Sequence, residues 1–122
     1  MAPHAKLLDH FTNPRNAGTL PCPPATRIHV DNPACGDTLV LYVLHDGTRL
    51  LDVRYQVRGC TASIAAASAL TTLLKDRDIG TLSSLKAQDI ETELGELQPA
   101  SKHAAILCLD GVTRLLRLLG QQ

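Results

Sequence analysis

The segment DTLVLYVLHDGTRLLDVRYQV, residues 37–57, restricts the fold more than any other part of the chain. Two β-rich runs flank an Asp46–Gly47 pair, which is a strong signal for the tight turn of a β-hairpin. In the second run, apolar and polar side chains alternate, which is typical of an antiparallel sheet with one buried face and one wet face. The apolar residues of this alternation are Leu51, Val53, Tyr55 and Val57, and the polar ones are Asp52, Arg54 and Gln56.

Patterns on either side of the hairpin predict an α+β fold in a single domain, residues 1–122. A short amphipathic helix over residues 3–11 precedes a strand over residues 26–31, which adds a third strand to the sheet. From about Thr61 the apolar period becomes helical, and further helices are expected over about residues 84–94 and 100–119. This order predicts a three-stranded antiparallel sheet with helices packed on one face.

Composition excludes several classes of function. The formal net charge is zero, and without a basic stripe or an aromatic platform the chain is not expected to bind nucleic acid. The longest apolar stretch is too short and too polar to span a membrane. The N-terminus lacks the apolar region of a signal peptide, so the expected compartment is the cytoplasm, where thiols stay reduced. The four cysteines therefore indicate metal binding, sulfur chemistry or burial. They are Cys22, Cys35, Cys60 and Cys108.

Two cysteine-containing loops carry the residue types of a metal site. In NPACGDT, Cys35 and Asp37 stand immediately before a strand, although the same pattern also fits a turn with a surface aspartate. In RGCTAS, Cys60 stands where a helix begins, and the free N–H groups and the helix dipole there favour a thiolate. The alternative for Cys60 is a buried cysteine at a helix N-terminus. With His103 at the start of the last helix, these residues form a ligand set that suits tetrahedral Zn²⁺ and can also hold iron.

Three motifs together resemble the IscU/NifU-type iron–sulfur cluster assembly scaffolds over nearly the whole chain. LLDHFTNPRNAGTL is similar to the family's N-terminal signature, ACGD to its first ligand loop, and GCTASIAAASAL to its second cysteine with the following helix of small residues. The resemblance implies an IscU/NifU N-terminal-domain-like α+β fold with a small exposed site at one end of a three-stranded antiparallel sheet.

The same resemblance implies a function and a set of site residues. A non-enzymatic scaffold of this kind builds a [2Fe–2S] cluster from iron and from sulfur that a cysteine desulfurase delivers, and then passes the cluster on. Matching positions imply that Cys35, Asp37, Cys60 and His103 are the site residues. A hard oxygen ligand beside soft thiolates binds an iron–sulfur unit less firmly, which suits a cluster that must leave.

The last helix departs from the family pattern at Ala104, where family members carry a third ligand cysteine directly after the histidine. Cys108 lies one helical turn later and is a candidate replacement ligand. However, it lies about 140° from His103 around the helix axis, and it belongs to an apolar stripe, so core filling is the favoured interpretation. Cys22 has no family counterpart, and we expect it to be a loop residue without a ligand role. The stripe comprises Ala105, Cys108, Leu109, Val112, Leu116 and Leu119.

The resemblance also bears on partners, and it leaves three functions open. A cysteine desulfurase is an expected partner, whereas LQPAS replaces the Leu-Pro-Pro-Val-Lys segment that an Hsp70-type chaperone recognises, which makes that partner doubtful. The insertion found in zinc-binding, SufU-type sulfur acceptors is absent.

The first of the three functions is a carrier of iron, zinc or a labile cluster. The second is a zinc-containing protein whose Cys35 accepts a persulfide. The third is a degenerate scaffold that docks partners without building a cluster.

Overall fold

The structure is a computed structural model that describes residues 4–32, 36–95 and 97–120. The first helix, α1 (His4–Thr12), precedes the strands β1 (Thr26–Asn32), β2 (Asp37–His45) and β3 (Leu50–Arg58). The helices α2 (Thr61–Leu74), α3 (Ala87–Leu94) and α4 (His103–Leu118) follow, with 3₁₀ helices at Ile79–Ser84 and Pro99–Ser101. The expected α+β order of one helix, three strands and further helices is confirmed.

Two helix boundaries differ from the expected ones because of local hydrogen bonding. The backbone N–H of Lys86 donates to the Asp89 carboxylate over 2.8 Å, which fixes the start of α3 and leaves residues 79–84 as a separate 3₁₀ helix. Pro99 opens a 3₁₀ turn, and α4 begins only at His103. The predicted end of α3 is confirmed, because Gly95 has a left-handed backbone with φ of 79°.

The sheet is antiparallel throughout, with strand order β1-β2-β3. The predicted hairpin turn is present, and Gly47 there has φ of 95°. An irregularity between Leu44 and His45 shifts the register beside the turn. For this reason Leu50 enters the core while Leu51 is 43% exposed, so the expectation that Leu51 lies on the buried face is wrong.

Helices α2 and α4 pack on one face of the sheet and form the core with it. The predicted run of small residues in α2 is buried on all sides, which lets the sheet and three other helices approach this helix closely. In α4 the buried face is rotated from the predicted stripe: Leu109, Leu116 and Leu119 are only partly buried. The fully buried positions of α4 are Ala104, Ala105, Leu107, Cys108, Gly111, Val112 and Leu115.

The N-terminal segment is held against α2 and β3 by buried polar contacts. The His10 Nδ1 atom lies 2.8 Å from the Ser68 hydroxyl, and the backbone N–H of Arg15 donates to the same hydroxyl over 2.9 Å. The backbone of residues 16–18 then pairs with Tyr55, at the outer edge of β3. The signature residues in this segment therefore have a structural role, which is to close that edge of the sheet.

At the other edge, β1 pairs with β2 on its inner side, and residues 4–32, 36–95 and 97–120 supply no further strand beside it. Among these same residues, no helix combines the length and the apolar character that are needed to cross a membrane.

Candidate metal centre

Three of the residues singled out in the sequence meet at one end of the sheet, and each stands at the start of its element. Asp37 is the first residue of β2, Cys60 is the N-cap of α2 and His103 is the first residue of α4. The pairing of Thr38 with Arg58 brings the start of β2 to the same end of the sheet as the end of β3, from which α2 continues. The topology therefore brings together residues that are distant in sequence.

The burial of the three side chains is graded. Asp37 is only 5% exposed, His103 is half-buried and Cys60 is exposed. The carboxylate thus forms the floor of the site, and the thiol lies where a metal ion, a reagent or a partner protein can reach it.

The distances between the donor atoms match those of a tetrahedral metal site. The His103 Nε2 atom lies 3.3 Å from Asp37 Oδ2 and 3.6 Å from Cys60 Sγ, and Cys60 Sγ lies 4.0 Å from Asp37 Oδ2. Ordinary zinc bond lengths and tetrahedral angles place N and O ligands about 3.4 Å apart, and S about 3.6 Å from either. These three groups can therefore contact one ion after only a small movement of the thiol away from its present position.

The surroundings of Cys60 favour its thiolate form. Burial raises the pKa of the Cys60 thiol, but hydrogen bonding with Ser63 and His103 outweighs both burial and the Asp37 charge, so the pKa lies below its ordinary value. The single hydroxyl proton of Ser63 is directed to Asp37. The Ser63 backbone N–H and the His103 ring are therefore the donors that remain for a thiolate, as expected at a helix N-terminus.

The fourth candidate, Cys35, lies outside the described residues. Its role as a ligand or as a persulfide acceptor stays a prediction from the sequence. Gly36 is the first described residue after it, with φ of 74°, and its backbone N–H donates to the Asn32 carbonyl over 2.8 Å. Gly36 leads directly into Asp37 of the site.

The two remaining cysteines lie outside the three-residue cluster. Cys108 is 2% exposed within the core, and burial raises the pKa of its thiol to about 12, which agrees with core filling. Cys22 is an exposed loop residue whose Sγ contacts the Leu20 carbonyl at 3.4 Å. Ala104, at the position of the family's third cysteine, is fully buried beside His103.

Sequence reasoning missed two residues around Asp37. Ser63 is buried, and its hydroxyl donates a hydrogen bond to Asp37 Oδ2. Gly59 lies against the same carboxylate, since a Cβ atom there would come within 2.7 Å of Asp37 Cγ. The sequence signal for both was their place in RGCTAS, where a serine and a glycine flank a candidate ligand.

Comparison with known proteins identifies relatives of this chain. Residues 2–116 match the NifU-like N terminal domain family. The chain is 40% identical over 112 residues to the Bifunctional protein NifU/MnmA of Rubrobacter xylanophilus, a match that covers 89% of this chain but 22% of that protein. It is 32% identical to the Iron-sulfur cluster assembly scaffold protein IscU 1 of Archaeoglobus fulgidus, which covers 91% of this chain and 72% of that one.

A solved structure confirms the fold. The N-terminal NifU-like protein from Brucella abortus superposes with a TM-score of 0.74 at 18% identity, over 95% of this chain and 92% of that one. Such a likeness at low identity concerns the fold alone, so the function has to be argued from the site and from the relatives of higher identity.

Proposed function

The chain belongs to the NifU-like N-terminal domain family, and from that premise we propose that it is a carrier in iron–sulfur cluster assembly. Its cargo is iron or a labile [2Fe–2S] cluster, with zinc as the alternative ion. The observation that carries the proposal is the convergence of Asp37, Cys60 and His103. Two relatives are named as scaffold proteins, which supports a carrier and not an enzyme.

Each site residue has a separate role in this proposal. Cys60 supplies a thiolate, His103 a ring nitrogen and Asp37 a carboxylate oxygen, while Cys35 supplies the second thiolate. Sulfur arrives from a cysteine desulfurase as a persulfide. Reduction of that sulfur to sulfide takes two electrons from a separate reductant.

Anaerobic reconstitution tests the carrier function. The metal-free chain is incubated with ferrous iron, cysteine, a reductant and a cysteine desulfurase, and visible charge-transfer absorption is recorded. We expect absorption in the wild type and in Cys22→Ser, because Cys22 lies outside the cluster. We expect little in Cys60→Ser and His103→Ala. Equal absorption in all four proteins would contradict the assignment, since the cluster would then be held elsewhere.

A second function is favoured by the fit of the site to zinc and by the presence of Ala104 at the position of the third cysteine. Two thiolates, one imidazole and one carboxylate complete a zinc shell without the third cysteine that this chain lacks. In this alternative, zinc holds the site together while Cys35 accepts the persulfide sulfur. The Cys35 thiolate attacks the terminal sulfur of the desulfurase persulfide, a new S–S bond forms while the old one breaks, and the desulfurase thiolate leaves. Zinc in the purified protein, with one added sulfur atom on Cys35 by mass spectrometry after desulfurase treatment, would support it. Absence of both cluster and zinc would leave a degenerate scaffold that only docks partners.

X-ray absorption of the zinc-loaded protein tests the ligand set. We expect two sulfur neighbours, which are Cys35 and Cys60, and light N or O neighbours from His103 and Asp37. The substitution Cys108→Ala should leave this shell unchanged because Cys108 is buried in the core. Three sulfur neighbours in the wild type and two in Cys108→Ala would make Cys108 the displaced third ligand.

A further inference from the structure

Ser63 contacts the candidate metal centre without belonging to its donor set. It lies in the first turn of α2, three residues after Cys60, and it is only 1% exposed. Its hydroxyl donates to Asp37 Oδ2, which is the oxygen atom that faces both His103 Nε2 and Cys60 Sγ. A carboxylate oxygen has two lone pairs. With one of them occupied by Ser63, the other remains for a metal ion.

Gly59 leaves the space that the same carboxylate occupies. A Cβ atom at this position would lie 2.7 Å from Asp37 Cγ, 2.7 Å from Oδ1 and 3.1 Å from Oδ2. Ordinary Cβ atoms do not approach other atoms so closely, so any other residue here would displace the carboxylate. The φ angle of Gly59 lies outside the left-handed region. Space for Asp37, and not backbone conformation, is therefore what requires glycine at this position.

We propose that Ser63 and Gly59 are positioning residues that hold the Asp37 carboxylate in the orientation in which it can bind the cargo metal. The inference rests on the proposed metal-carrying function and deepens it. A hydrogen bond to a ligating carboxylate fixes its rotation and leaves less freedom to be lost when the ion binds. The Ser63 oxygen also lies 3.4 Å from Cys60 Sγ, but its proton is directed to Asp37, and a metal-bound thiolate has no proton to donate to it. Both residues thus act through Asp37, without contact to the metal.

A competing explanation is that Ser63 only stabilises the fold, because a buried hydroxyl needs a partner in any protein. The chain offers a matched comparison. Ser68 is a second buried serine of α2, and its hydroxyl contacts His10 and the backbone of Arg15 instead of the site. Gly80 is the matched glycine, since a Cβ there would meet nothing within 4 Å and its φ is also outside the left-handed region.

The test titrates the full-length, metal-free chain with Co²⁺ alone and follows its visible absorption, so that neither iron nor a desulfurase is needed. We expect Ser63→Ala and Gly59→Ala to weaken cobalt binding about tenfold or more, as losses of outer-sphere partners do. Ser68→Ala and Gly80→Ala, which lie away from the site, should stay within about twofold of the wild type. Equal weakening by Ser63→Ala and Ser68→Ala would overturn the proposal.

A double-substitution cycle separates positioning from general destabilisation. In an Asp37→Ala background there is no carboxylate to orient, so adding Ser63→Ala should change cobalt affinity by no more than about twofold. A further tenfold loss in that background would mean that Ser63 acts independently of Asp37, and the proposal would be wrong.

A measurement without metal keeps this inference separate from the proposed function. The carbon-13 resonance of the Asp37 carboxyl group should shift in Ser63→Ala and in Gly59→Ala, and should keep its wild-type position in the two control variants. If the protein binds cobalt but builds no cluster, the carrier function fails, and the cobalt affinities of the variants still decide the positioning role. If the protein binds no cobalt, the resonance alone decides, and an unshifted resonance in both variants overturns the positioning role.

Discussion

Cys60 and Cys108 carry the same thiol in opposite surroundings. Cys60 is exposed at the start of α2, where hydrogen bonding with Ser63 and His103 holds the pKa of its thiol below the ordinary value. Cys108 lies in the core, where burial raises the pKa of its thiol to about 12. The thiolate is the reactive form, so the two residues should differ both in the reactive fraction and in access for a reagent.

Alkylation of the metal-free protein should therefore label Cys60 much faster than Cys108 at neutral pH, and Cys35 is expected to react faster than Cys108 as well. His103→Ala should slow the labelling of Cys60, because the thiolate loses one of its hydrogen-bond donors. Peptide mass spectrometry at successive times measures the three rates. Labelling of Cys108 as fast as Cys60 would show that the last helix opens readily, and that Cys108 is not a core residue.

Ala104 gives a second prediction at the scale of single residues. Ala104→Cys restores the family's third thiol beside His103, and we expect higher cluster yield or longer cluster lifetime after reconstitution. Since Ala104 is fully buried, the added sulfur should also lower the free energy of unfolding by about 1–3 kcal/mol. Ala105→Cys is the control, because it adds the same atom at the neighbouring buried position. No gain over the wild type would mean that Cys108 already serves as the third thiolate ligand, or that the chain no longer acts as a scaffold.

At the scale of elements, the β2–β3 hairpin is closed by one carboxylate. Asp46 Oδ1 accepts hydrogen bonds from the backbone N–H groups of Thr48 and Arg49, over 2.9 and 2.8 Å, and from the Thr48 hydroxyl. The N–H of Thr48, followed by the N–H of Arg49, lowers the pKa of Asp46 from 3.8 to about 2. The turn thus depends on the ionised form of a fully exposed side chain.

The sign of the resulting pH dependence follows from that lowered pKa. A carboxyl group that is more acidic in the folded state stabilises the fold above its unfolded-state pKa, and this contribution is lost as the pH falls through the folded-state value. We expect Asp46→Ala to lower the urea midpoint by a constant amount above pH 3.8, and the difference from the wild type to shrink as the pH falls towards 2. A difference that does not change with pH over this interval would mean that the charge is irrelevant to the turn.

The same elements show what the sequence could and could not predict. Asp46–Gly47 and the alternation in β3 predicted the hairpin because both are local signals. Leu51 was misplaced because the register irregularity beside the turn depends on pairing between strands. The buried face of α4 was predicted only in part, since Ala105, Cys108 and Val112 of the predicted stripe are buried. Leu107 and Leu115 are more deeply buried than the predicted Leu109 and Leu116, because packing against the rest of the fold, and not the helical period alone, selects the covered face.

The site was predictable only in part, for a related reason. Cys60 and Asp37 lie in recognisable loops, but 43 residues separate Cys60 from His103, so the residues alone did not determine that the two would meet. The residue types suggested one ligand set, and the resemblance to a family supported the same positions. The roles of Ser63 and Gly59 follow from contacts with a side chain on another element, for which a single sequence carries no spacing rule.

At the scale of the whole molecule, the site joins three separate elements of one fold. Asp37 and Cys60 are 23 residues apart, and Cys60 and His103 are 43 residues apart, so an unfolded chain cannot present the three donors together. An ion that binds only the folded form must stabilise it. Metal binding at this centre, as proposed, would therefore couple metal loading to global stability.

Zinc should accordingly raise the melting temperature. At a free zinc concentration about 100 times the dissociation constant, the free energy of unfolding should rise by about 2.7 kcal/mol. For a chain of this size, that corresponds to a shift of roughly 10 °C by differential scanning calorimetry. The shift should persist in Cys22→Ser and be largely lost in His103→Ala. An equal shift in both variants would place the zinc outside this centre.

The unequal edges of the sheet have a consequence for how the protein behaves when concentrated. Residues 16–18 occupy the outer side of β3, whereas the described residues leave the outer side of β1 open, and an open strand edge is a template for pairing with another chain. The exposed side chains of β1 include Arg27, His29 and Asp31. Charges on an edge oppose the flat, apolar stacking on which strand-to-strand aggregation depends. The surface charges of β1 are therefore what opposes pairing between copies of the chain. Substitutions that neutralise these charges should favour self-association while the fold stays intact.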